Sequence, residues 1–66
     1  MSKYKVGDIL FDYRDEDNIE ILAISPTTDM EGYINYYVKV WDESEDYFFY
    51  NMSEWYIDKY CLSLDV

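Results

Sequence analysis

Along the chain, short runs of β-branched and aromatic residues are broken by clusters of Asp, Glu, Asn, Ser, Pro and Gly. This is the punctuation of strands and turns rather than of helices. Lys3 to Tyr13 reads as a first strand, with Tyr4, Val6, Ile9 and Phe11 as its apolar members and a bend or bulge at Val6-Gly7-Asp8. Past that Gly the alternation resumes, placing Ile9 and Phe11 on one face and Leu10 and Asp12 on the other. Arg14 to Asn18 makes an acidic turn, and Ile19 to Ile24 a second strand. Ser25 to Gly32, bracketed by Pro and Gly, reads as the one true loop.

A hairpin follows. Tyr33-Ile34-Asn35-Tyr36-Tyr37-Val38-Lys39-Val40-Trp41 and Tyr47-Phe48-Phe49-Tyr50, the latter running on to about Met52, flank Asp42-Glu43-Ser44-Glu45-Asp46. A turn needs one Asp or Asn for its backbone geometry, yet this one carries four carboxylates that repel one another. Neighbours such as Tyr36-Tyr37 and Phe48-Phe49 point to opposite faces of a strand, so one of each pair faces outward or into an interface. Ser53 suits a helix N-cap, and Glu54 to Lys59 is a single helical turn. Tyr60 to Leu64 closes the chain as a fifth strand. The expectation is one all-β domain over residues 1–66, with five antiparallel strands and a short helical turn before the last.

That element order, opened by Tyr4-Lys5-Val6-Gly7-Asp8-Ile9-Leu10, resembles the small SH3-like five-stranded barrel and the first strand of KOW-type domains. The resemblance implies a fold and not a function. KOW loops that contact RNA are basic, whereas the corresponding loops here are acidic.

Size and charge narrow the picture further. A chain of 66 residues buries only roughly 60% of its unfolded surface and is correspondingly marginal. Its single cysteine, Cys61, cannot form an internal disulfide and suits a reducing compartment. Aromatic packing and self-association remain as sources of stability. Nine tyrosines, three phenylalanines and two tryptophans supply the first, and a homodimer would enclose more of them. The opening residues lack the apolar core of a signal peptide, and no run approaches the ~20 residues of a membrane span. A cytoplasmic protein is expected (the host cytoplasm, if phage-encoded).

Fifteen acidic residues against five basic ones give a net charge of −10, which costs folding free energy through self-repulsion. Nucleic acid and anionic membrane are disfavoured as direct ligands, because phosphate is bound by Lys and Arg. Enzymatic roles are poorly supplied. Histidine is absent, Cys61 lacks a base, and two glycines do not make a phosphate loop. Asp15, Asp17 and Glu20 begin a calcium-loop pattern, which then fails with Glu20 at the Gly position and Ala23 at a ligand position. No cofactor or dedicated metal is expected.

The carboxylates themselves are the candidate site: Asp12, Asp15, Glu16, Asp17 and Glu20; Asp29 and Glu31; Asp42, Glu43, Glu45 and Asp46. Alternate strand residues lie ~6.6–6.8 Å apart, similar to the separation of consecutive phosphates along a DNA strand. A very short, strongly acidic, aromatic-rich chain without catalytic residues is similar to phage DNA-mimic proteins, a class of host-takeover inhibitors that share a strategy and no motif. The similarity implies a non-enzymatic inhibitor that occupies the DNA-binding site of a basic host protein, with an HU-type nucleoid protein as favoured target. The alternative is an SH3-like interaction module that takes a basic peptide or protein segment in an aromatic groove.

Overall fold

The computed structural model describes residues 2–63. Five strands, β1 (Ile9–Asp12), β2 (Asp17–Thr28), β3 (Ile34–Trp41), β4 (Tyr47–Ser53) and β5 (Cys61–Ser63), form one antiparallel sheet in the order β4-β3-β2-β1-β5. A helix, α1 (Glu54–Tyr60), precedes the last strand and packs on β3, β4 and β5. Five antiparallel strands with one short helix before the last are the expected elements in the expected order. Leu64 of the expected fifth strand lies outside the described residues.

The core is small and one-sided. Leu10, Ile19, Ile21, Tyr36, Val38, Val40 and Ile57 are buried, drawn from β1, β2, β3 and α1. Each aliphatic member contributes roughly 1.5–3 kcal/mol on leaving water. Period-two alternation explains the choice on β3, where Tyr36, Val38 and Val40 face inward and Tyr37 outward. The same rule on β1 buries Leu10 and Asp12 and leaves Ile9 and Phe11 half-buried.

The loop expected over Ser25 to Gly32 is mostly strand, because β2 runs on to Thr28. Its pairing with β3 slips twice, between Ile21 and Ala23 and again between Ile24 and Thr28. Pro26 stands in the second irregularity, where its missing N–H breaks no ladder bond. The connection proper is short, and Asp29 organises it. The Asp29 carboxylate accepts from the backbone N–H of Glu31 and of Tyr33, both at 2.9 Å, and from the Asn35 side chain at 3.0 Å.

Ser53 caps α1 as expected, accepting from the Tyr56 N–H at 3.4 Å, and the helix makes two turns rather than one. The extra length is held by tertiary contacts, which rescue a helix too short to persist alone. Lys3 donates to Asp58 at 2.7 Å and the Tyr4 hydroxyl donates to the same carboxylate at 2.6 Å. The buried Tyr36 hydroxyl donates to Glu54. Burial, then the bond to Glu54, pushes the Tyr36 phenol up to about 12. Glu54 and Asp58 therefore work inside the fold. Cys61 packs against the core, and burial pushes its thiol up to about 12, leaving it a poor nucleophile.

Candidate functional site

Antiparallel register decides where the carboxylates end up. Asp12 pairs with Asp17 across β1 and β2, and Asn18 pairs with Trp41 across β2 and β3. The turn after β1 and the turn after β3 thus emerge at the same end of the sheet. Asp15, Glu16, Asp17, Asp42, Glu43, Glu45 and Asp46 crowd that end, and a shallow cleft lined by Asp15, Glu16, Asp17, Asp42 and Glu43 runs between the two turns. Two clusters far apart in sequence become one surface.

Asp17 sits where the turns meet. Partial burial, followed by the charges of Asp42, Asp15 and Asp12, raises its carboxyl above the usual carboxylate range. Asp42 moves the opposite way, because the Ser44 hydroxyl and the Ser44 N–H both donate to it. Both tips also carry backbone cost. Glu16 has φ of 58° and Glu45 φ of 68°, a left-handed conformation that glycine adopts freely and other residues rarely adopt. Each turn keeps a glutamate where backbone geometry alone favours glycine.

The remaining candidates separate from this group. Asp29 and Glu31 lie at the opposite end of the sheet, between Thr28 and Ile34. Glu20 lies mid-sheet on the outer face, in register with Lys39. Asp12 leaves the surface altogether at 2% exposure. One of its oxygens accepts from the N–H groups of Arg14 (3.0 Å) and Asp15 (3.3 Å), and the other accepts from the Tyr56 hydroxyl at 2.7 Å. It pins the first acidic turn to α1. Among the described residues no group of three or more Asp, Glu or Cys side chains is arranged to hold a metal ion. The charge is spread over a surface and not focused on a point.

A second feature goes further than the one outward ring per pair expected from the sequence. Tyr47, Phe48, Phe49 and Tyr50 are all about half exposed, at 57%, 57%, 48% and 50%. Phe48 and Phe49 point to opposite faces, as Tyr36 and Tyr37 do, but the inner ring Phe48 is exposed where the inner ring Tyr36 is buried. β4 is the edge strand, paired on one side only, and none of its residues joins the buried core. On the outer face Tyr37 stacks on Phe49 with centroids 5.9 Å apart, and Lys39 lies over the rings of Trp41 (5.6 Å) and Tyr47 (5.1 Å).

No helix among the described residues is long and apolar enough to cross a membrane. No family model matches the chain, and neither a curated protein nor a solved structure does.

Proposed function

We propose that the chain is a non-enzymatic DNA mimic, whose acidic end occupies the cationic DNA-binding site of a host protein. The carrying observation is the convergence of the two turns, which brings seven carboxylates to one end of a sheet. A protein that binds DNA has Lys and Arg already arranged for a phosphate track, and carboxylates gathered on two adjoining turns engage the same side chains. Retention of Glu16 and Glu45 at positive φ supports a surface selected for charge over stability. An HU-type nucleoid protein, which binds DNA with little sequence preference, is the favoured target.

The half-exposed aromatics of β4 favour a second reading, an SH3-like module that receives a basic segment. Both readings share a cationic protein partner, and they differ in whether charge or aromatic contact sets selectivity. Immobilised protein exposed to bacterial lysate at low and high salt separates them. DNA-binding proteins released by salt and by competing duplex DNA support mimicry. One partner that duplex DNA does not release favours the module.

A further inference from the structure

Five of the seven residues of the β4 edge strand are exposed, and its chemistry fits one kind of occupant. Sheet edges are ordinarily protected by shortness, by charge, by proline or by bulges. The opposite edge strand, β5, spans three of the described residues, Cys61–Ser63. β4 has none of these devices. It runs seven residues, contains no charged residue and no proline, and pairs with β3 without a break from Asn35↔Ser53 to Trp41↔Tyr47. Aromatic rings flank the free edge on both faces, Phe48 and Tyr50 on the inner one and Tyr47 and Phe49 on the outer.

Charge selects among possible occupants. A second copy pairing antiparallel would lay the acidic turn of one chain beside Glu54 of the other. Pairing parallel would set turn against turn, and either way two chains of net charge −10 meet. A cationic strand meets the reverse situation, since a groove lined by Trp41, Phe48 and Tyr50 also presents Asp17, Asp42 and Asp46. On the outer face, rings at this edge already take a cation within the chain, Lys39 over Trp41 and Tyr47.

We infer that β4 is a docking strand that takes an extended segment of the cationic partner as a sixth strand, with Arg or Lys side chains reaching the Asp17–Asp42–Asp46 groove and apolar side chains on the exposed rings. Main-chain hydrogen bonds supply affinity in this mode, and the alternate side chains supply selectivity. The inference rests on the proposed cationic partner and adds how it is gripped.

The test uses the full chain and a blocked synthetic peptide of about ten alternating Arg and Val residues, long enough to cover one strand. A second peptide of the same sequence is N-methylated at alternate residues, which removes strand-forming donors and keeps the charge. Amide hydrogen exchange and titration of the labelled protein report the site and the affinity. The inference requires slowed exchange at β4 amides, and a loss of about tenfold or more both for the methylated peptide and for Phe48→Ser/Phe49→Ser. A methylated peptide that binds as well as its parent overturns the docking strand, because charge alone then accounts for the contact. Protection confined to residues 13–17 and 42–46 also overturns it, and leaves the acidic-end mimic standing. Protection of β4 in the free protein that grows with concentration assigns the edge to a second copy and overturns it too. If neither peptide binds, the docking strand fails. DNA release from a purified HU-type protein, measured alongside, then shows whether the mimic fails with it.

Discussion

At one end of the sheet Asp29 sits inside a turn that satisfies it, accepting two backbone N–H groups and an amide. At the other end Asp17 is partly desolvated and faced by Asp42, Asp15 and Asp12, while Glu16 and Glu45 hold a backbone conformation suited to glycine. The residue types are the same and their energetics are opposite. The Tyr33 N–H, then Asn35, lowers the Asp29 carboxyl, so its ionisation stabilises its own loop. Burial and like charge raise that of Asp17, so its ionisation works against the fold. Acidity at the first end is explained by structure alone. At the second end Asp42 is likewise satisfied by Ser44, but the ionised Asp17 and the left-handed Glu16 and Glu45 lack a folding rationale, and such uncompensated cost gathers at functional sites.

The largest effect that separates the ends is on binding. Replacing Asp42, Glu43, Glu45 and Asp46 with Asn or Gln should weaken the complex with an HU-type protein by at least on the order of 100-fold at low salt. Asp29→Asn/Glu31→Gln should change it by less than about twofold. Equal losses from both sets, read by titration calorimetry, would erase the distinction between the ends.

Next in size is the backbone strain at the tips. Glu16→Gly and Glu45→Gly should each stabilise the free protein by about 1 kcal/mol in urea unfolding, while weakening the complex. A destabilised glycine variant would show that these glutamates serve the fold.

Acid titration reads the contrast by sign. The stabilisation from ionised Asp29 is present above its unfolded value of 3.8 and is lost as pH falls through its lower folded value. Asp29→Asn should therefore melt below the parent near pH 6 and converge with it well below pH 3.8. The penalty from ionised Asp17 is present above its raised folded value and gone below 3.8. Asp17→Asn should melt above the parent near pH 6 and converge with it in acid. Melting temperatures from pH 2 to 7 check both directions.

The smallest effect is general screening. Moderate salt should raise the parent's stability by on the order of 0.5 kcal/mol, and by less once the four turn carboxylates are neutralised. A melting temperature that falls between low and moderate salt contradicts self-repulsion as a cost in this fold.

Much of the fold was legible from local pattern. Alternation over Tyr36 to Val40 gave β3 its buried face, and Ser53 followed by Glu54 gave the helix start. What escaped was set by contacts distant in sequence. Asp12 looked like surface charge because its partner Tyr56 lies 44 residues away. Pro26 suggested a loop because the slip in the β2–β3 register, which accommodates it inside a strand, depends on β3. Phe48 looked like core because it alternates with the outward Phe49, and only the strand order reveals that β4 stands at the edge of the sheet with its rings exposed. The candidate site was legible as residues and not as a place. Nothing local to either acidic turn indicates that the pairing of Asn18 with Trp41 will bring the two together.

The most direct measurement is release of a fluorescent duplex from a purified HU-type nucleoid protein, followed by anisotropy as the chain is added. The account predicts full release at near-stoichiometric protein and low salt, and no release by the variant neutralised at Asp42, Glu43, Glu45 and Asp46. Anisotropy that stays high across the titration, or release by the neutralised variant as well, would contradict it.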